Sequence, residues 1–211
     1  MRKIIILTLS VLILGCGASE EEKIAQNLAV NKELARQLTA TTLISFFSQD
    51  LKTELMSGIK EGGFTNAINV CQLKAPEIAA RYLTENWEMK RVTDKPRNPI
   101  NQANFHEQEI LSLFATNPTK YKFFDEWQDP ENKKDYYFYK PIYIGKVCLK
   151  CHGTKPAIDE KAVLAIQEKY PDDKAINYTK GDLRGMFVVR LKSDENIKKE
   201  LRDLIDSLQQ K

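Results

Sequence analysis

Apolar residues from Ile24 to Ile59 recur at helical spacing. Ile24, Leu28, Ala35, Leu38, Phe47, Leu51, Leu55 and Ile59 predict one long helix or two in series. Gly62-Gly63 ends that pattern, because paired glycines break helical periodicity. A short helix follows over 64–73, with Ala67 and Cys71 four apart on one face. Pro76 is placed to open a further helix running to about Asn86, since proline is tolerated in a first turn. Trp87 to Thr93 then reads as a strand and DKPRNP, 94–99, as loop. Asn104 with Glu107 three residues on forms a capping-box start for a helix ending near Thr116. Tyr136 to Ile144 (YYFYKPIYI) is the clearest strand signal, preceded by the turn-forming Asp129-Pro130-Glu131-Asn132. Beyond it, 159–170 reads as a helix and RGMFVVRL, 184–191, as a strand. Ser193 is placed to cap a final helix with Ile197, Leu201, Leu204 and Leu208 on one face. Helices flanking a small sheet give an α+β fold class, without internal repeats or low-complexity segments.

The amino terminus follows a different pattern. Arg2 and Lys3 precede an apolar run from Ile4 to Leu14, interrupted only by Thr8 and Ser10. That run is too short to span a bilayer comfortably and has the head and apolar stretch of a secretory signal. It closes on Ile13-Leu14-Gly15-Cys16, which resembles a bacterial lipoprotein signal. The resemblance implies cleavage before Cys16 and lipidation of that cysteine. An uncleaved anchor or an ordinary signal peptide are the alternatives, and all three imply export. The expected layout is a signal peptide over 1–15, a lipidated polar tether over 16–23 and one domain over 24–211. The domain is then expected on the periplasmic or cell-surface side, held to a membrane by its lipid.

Composition narrows the partners. Apolar residues at 42% and charged residues at 29% suit a soluble domain with a real core. Losing Arg2 and Lys3 leaves 30 of the 32 basic side chains against 29 acidic ones. No basic stripe backs the slight positive charge, so nucleic acid is not an expected partner. No second apolar run reaches membrane-spanning length, so the chain carries no transmitter of its own and would need a separate redox or signalling protein.

The chain holds four cysteines and two histidines, and three of these six residues fall in Val147-Cys148-Leu149-Lys150-Cys151-His152-Gly153. Thiols three positions apart can each add to one haem vinyl group, and the next residue then offers its imidazole to the iron. A zinc site wants four ligands, yet only Cys71 and His106 remain in the domain, each isolated in sequence. A thioredoxin-type redox pair does not call for the trailing histidine, and a structural disulfide this short closes a tight loop for little gain. The spacing therefore predicts one covalently attached haem c, with Cys148 and Cys151 as anchors and His152 as an axial iron ligand. The other axial position stays open among Cys71, Met56, Met89, Met186 and His106. Cys71 is an odd cysteine in an exported chain, though a small buried core thiol is the alternative. Core packing is the default for the methionines, and a surface or capping role for His106.

Four stretches carry a wider resemblance: AINVCQLKAPEIA with Cys71 and Pro76, RVTDKPRNPIN, YKPIYIGKVCLKCHG, and YPDDKAINYTKGDLRGMFVV. In this order they are similar to the single-haem c-type sensor domains with a PAS-like fold, long catalogued as a domain of unknown function. Members occur alone behind an export signal or in front of membrane-bound histidine kinases. The resemblance implies a small antiparallel sheet flanked by helices, with a long N-terminal helix. It also implies His/Cys ligation, with Cys71 opposite His152. A thiolate ligand stabilises ferric iron, so a low reduction potential is expected. Arg91, Lys95 and Arg97 form a cationic loop, and Arg97 is the expected partner of a haem propionate. The leading function is a redox or small-gas sensor, compatible with a homodimer. A mono-haem electron-transfer cytochrome is the alternative, and a peroxidase-like enzyme comes third, with non-enzyme roles preferred.

Overall fold

The computed structural model describes residues 32–209, with the side chains of residues 71, 72, 208 and 209 outside that description. The expected signal peptide, the tether and the lipidated Cys16 all lie outside it.

The fold is α+β, built on a four-stranded antiparallel sheet in the order β1-β4-β3-β2. The strands are β1 (Trp87–Val92), β2 (Phe124–Asp129), β3 (Lys134–Tyr143) and β4 (Leu183–Leu191). β4 occupies an inner position, and its apolar run is buried on both sides, as a short continuous apolar strand should be. Phe187, Val189 and Leu191 face one layer with Tyr136 and Phe138 of β3, whereas Met186 and Val188 face the other with Tyr139. This period of two is the strand geometry that makes a sheet two-sided.

The first layer is the long helix α1 (Lys32–Tyr82) with the terminal helix α5 (Ile197–Gln209). α1 is interrupted at Gly62 and Gly63, and Gly63 has φ +69°, a left-handed conformation that glycine adopts at little cost. The chain folds back there into a helical hairpin. Gly58 closes against Val70 and Ala67, and the Phe46 and Tyr82 rings stack at 5.7 Å. The Tyr82 hydroxyl donates to Asp50 across the two arms. Thus the pattern ending at Ile59 resolves, over its described part, into one outgoing arm (32–61), and the two helices expected over 64–73 and from Pro76 form one return arm (64–82). The second layer is α2 (Phe105–Thr116), whose Ile110, Leu111 and Phe114 are buried against the sheet. Asn104 and Glu107 form the expected capping box, each side chain accepting from the other's backbone N–H at 2.9 Å.

Two local expectations are corrected, and a third feature was not foreseen. Pro76 does not open a helix but lies inside the return arm, where Ala75 and Ile78 on either side are 6% and 0% exposed. Burial of those neighbours outweighs the hydrogen bond proline removes. Ser193 does not cap α5, which begins at Ile197. Its backbone N–H and carbonyl instead bond the Asn86 side chain at 3.0 and 2.8 Å. The third is β2, which the apolar pattern did not foreshadow. It is an edge strand of half-polar sequence, stabilised where the Tyr136 and Tyr139 hydroxyls donate to Asp125 and Glu126.

Gly185 sets the register at the start of β4. A Cβ there would sit 2.4 Å from the Val92 carbonyl oxygen of β1, so only glycine lets these backbones meet.

Candidate functional site

The sheet delivers the Cys-x-x-Cys-His motif to one of its ends. Where β3 stops, the Ile144 N–H donates to the Asp182 carbonyl and the Gly181 N–H donates back to Ile144, both at 2.9 Å. The long connection between these ties contains α3 (Leu149–His152) and α4 (Glu160–Lys169). Asp159 caps α4, accepting from the Ala162 N–H at 3.2 Å.

A helix as short as α3 leaves carbonyls at its end that need donors. The structure supplies them from 97 and from segment 173–178. Arg97 Nη2 donates to the Cys151 carbonyl at 2.6 Å, the Tyr178 N–H to His152 at 3.0 Å and the Asn177 N–H to Gly153 at 2.9 Å. Asn177 adopts φ +64°, a conformation asparagine tolerates better than most residues. Backbone and guanidinium together fix the orientation of the motif.

His152 is held most closely. Its Nδ1 lies 2.7 Å from the Ala175 carbonyl, which can only accept, so Nδ1 carries the proton. Burial, then the nearby Arg97 and Arg184 guanidiniums, push the imidazole down to about 3. The ring is therefore neutral at physiological pH, with the Nε2 lone pair available. This is the tautomer that a metal-ligating histidine adopts when its other nitrogen is tied to a carbonyl.

The two thiols border different apolar clusters. Cys148 packs with Ile144, Ala175 and Tyr178, and Cys151 packs with the cluster of Ile68, Ile158, Ala162 and Ile166. No disulfide links Cys148 to Cys151. Ile68 comes from the return arm of α1, so that arm and the motif share one apolar cluster. Cys71 stands on the same arm three residues beyond Ile68, and its side chain is outside the described residues.

The other candidate ligands lie elsewhere. Met186 is fully buried in the α2-side cluster, Met89 packs against the α1-side core and Met56 is 48% exposed. None of those clusters contains a motif residue. His106 bonds Glu126 through Nε2 at 2.5 Å and stands near Glu109, and the Glu126 hydrogen bond chiefly raises its pKa.

Cationic residues crowd the histidine. Arg97 is paired with Asp173 at 3.0 Å, with side chains 13% and 8% exposed. Lys95 and Arg184 both lie over the Tyr178 ring, at 4.4 and 5.6 Å from its centroid. The Tyr178 ring in turn meets the His152 imidazole edge-on at 6.3 Å. Arg91 instead lies over Phe47, 5.3 Å from its ring centroid. Thr93 links the group, donating to the Arg184 carbonyl at 2.8 Å and accepting from Arg184 Nη1 at 3.0 Å. A cavity of about 390 Å³ lined by Lys95, Tyr143, Tyr178 and Leu183 opens beside them. A larger cleft of about 520 Å³ lies between the β2–β3 turn and the link to α5, and no motif residue lines it. Thr93, Asp173 and Tyr178 were not singled out from the sequence, and Arg184 was marked only as part of a matching stretch, without a role. They sit in loops or at a strand end, where spacing carries no signal, and only the quoted stretches around them marked the region.

An α+β domain that presents two thiols and a neutral, oriented imidazole from one end of its sheet is defined by that motif. The chain belongs to the Tll0287-like family, which matches residues 18–192. Its fold is similar to that in the crystal structure of the cyanobacterial heme-protein Tll0287, with 26% identity and a TM-score of 0.51. That similarity covers 71% of this chain and 92% of the other. No curated protein matches the sequence.

Proposed function

We propose that this chain is an exported, lipid-anchored protein carrying one covalent haem c, and that it reports redox state or a small gas. The observation that carries the haem reading is His152: neutral, its Nδ1–H fixed on Ala175, Nε2 available, directly behind two thiols at attachment spacing. The site also fits the group in its unmet needs. The Tyr178 hydroxyl is buried without a hydrogen-bond partner, and apolar clusters border both thiols. Haem binding in the similar cyanobacterial protein supports the same reading.

In this reading Cys148 and Cys151 attach the haem, and His152 and Cys71 hold its iron. When bound, the haem supplies an iron that changes oxidation state and takes small diatomic ligands. The chain's part is to couple Cys71 to the rest of the fold. Cys71 rides on the return arm, which turns at Gly62-Gly63 into the long outgoing arm of α1. Were Cys71 to leave the iron, the return arm would be free to shift against Ile158 and Ala162 of the α4 cluster. The outgoing arm carries that shift toward the amino terminus and a separate signalling partner. An enzymatic reading would need an acid–base residue at the iron. The chain's other histidine, His106, is engaged by Glu126 on β2.

Absorption spectra of purified holoprotein in both oxidation states, with and without carbon monoxide, test the function. A sensor binds carbon monoxide after reduction. A ferrous protein that keeps both ligands and refuses carbon monoxide overturns the sensor reading in favour of an electron carrier. The anchor is tested separately: Cys16→Ser is expected to move the exported protein from the membrane to the soluble fraction. Unchanged fractionation overturns lipidation at Cys16.

A further inference from the structure

We infer that Lys95 and Arg184, and not Arg97, are the partners of the haem carboxylates. The inference rests on the haem reading and adds residues to it. Arg97 was the expected partner from sequence, but its Nη2 is committed to the Cys151 carbonyl at 2.6 Å and to Asp173 at 3.0 Å. Ala175 O is a further acceptor at 3.4 Å. Asp173 is as buried as Arg97 and also accepts from the Ala175 N–H at 2.9 Å. Arg97 Nε is buried without a partner, but the guanidinium charge is already met by Asp173, and turning Arg97 toward another carboxylate would leave Asp173 a buried, uncompensated charge and strip a donor from the end of α3. Breaking a buried pair in this way is strongly unfavourable. Arg97 is thus a positioning residue for the motif.

Arg184 is in the opposite condition. Its Nη1 donates to Thr93 Oγ1 at 3.0 Å and to the Lys95 carbonyl at 3.3 Å. Among the described residues no carboxylate lies within salt-bridge distance of it, although burial works against its charged form. Lys95 likewise has only the Ile176 carbonyl, at 3.0 Å, and the face of Tyr178. Two of the acids nearby are already occupied, Asp173 by Arg97 and Asp182 by Thr179, and Asp94 makes no salt bridge to Lys95 or Arg184. Between the two cations, the Tyr178 hydroxyl is buried with the residue 5% exposed. Thr93 and Arg184 stand close enough to affect its titration, yet neither meets hydrogen-bond geometry. Two cations without a salt-bridge partner among the described residues, and a buried hydroxyl without a hydrogen-bond partner, gathered around the ring that meets His152, match a group bearing two carboxylates. A guanidinium binds a carboxylate through two parallel hydrogen bonds, and an ammonium as a point charge.

The test uses holoprotein of wild type, R184Q, R184K, K95Q and R97K, read by resonance Raman in the haem propionate bending region. R184Q and K95Q are expected to shift the propionate band, whereas R97K, which keeps a cation beside Asp173 and a donor for the Cys151 carbonyl, leaves it in place. R184K keeps the charge but loses the planar fork, so it shifts the band while holding the reduction potential near wild type. It also serves if R184Q does not accumulate. Loss of both cations in K95Q/R184Q favours ferric iron by about tenfold at a fixed poise, roughly 59 mV downward for one electron. A band unmoved in R184Q, R184K and K95Q, or moved only in R97K, overturns the assignment. A wild-type protein without covalent haem overturns the haem reading itself, and the assignment with it.

Discussion

Replacing Cys148 and Cys151 together by alanine is expected to release the haem completely: acidified solvent then extracts all of it, where wild type yields none. Covalent attachment needs two thiols three residues apart with a histidine next, and the chain's other cysteines, Cys16 and Cys71, have no such neighbour. Each single variant keeps one attachment point and is expected to retain covalent haem in reduced yield. The structural cost of these changes is small. Each removes one sulfur atom from the edge of an apolar cluster, within the roughly 0.5–3 kcal/mol of ordinary single substitutions. Loss of pigment in the double variant therefore reports chemistry and not unfolding, as circular dichroism of the same sample checks. Haem that resists extraction from the double variant would refute attachment at this motif.

The parts of the molecule written in periodic patterns were legible in the sequence. Tyr136 to Ile144 and the run RGMFVVRL alternate or persist as sheet strands do, and both lie in the inner strands β3 and β4. Asn104 and Glu107 announced α2 because a capping box is a local exchange of two hydrogen bonds. β2 escaped because an edge strand needs only one satisfied side, and FDEWQD meets that need through tyrosine hydroxyls that belong to β3. Pro76 and Ser193 misled for the same reason from opposite directions: each follows a local preference that tertiary contacts override. At the site, the spacing of Cys148, Cys151 and His152 was visible, but the frame around them was not. Arg97 reads as a free cation until Asp173, far along the chain, is seen to neutralise it. Arg184 reads as the polar start of a strand until its lack of a carboxylate is seen. Charge pairing across the fold has no signature in spacing, which is why the cationic loop was recognised while its division of labour was not.

Cys71→Ala is expected to convert the ferric protein from a low-spin to a high-spin spectrum and to raise the reduction potential. The argument begins with placement. Cys71 lies on the return arm one helical turn beyond Ile68, and Ile68 shares an apolar cluster with Cys151 of the motif. The arm that bears Cys71 is therefore docked beside the attachment site by contacts independent of any iron bond. Alanine is the best helix former, so the substitution leaves that arm and its docking intact. In the proposed ligation it removes an anionic sulfur donor. Thiolate pushes electron density onto iron and stabilises the ferric state, and its loss leaves His152 as the protein ligand from the motif side. The potential should rise by a substantial part of the roughly 0.8 V that axial-ligand identity spans across haem proteins. Cys71→Ser separates polarity from ligation, since a hydroxyl restores the polar atom without a comparable donor and should resemble the alanine variant. If Cys71 is only a core thiol, both variants keep the wild-type EPR signal and potential, and the coupling of iron state to the α1 hairpin falls with the ligand assignment.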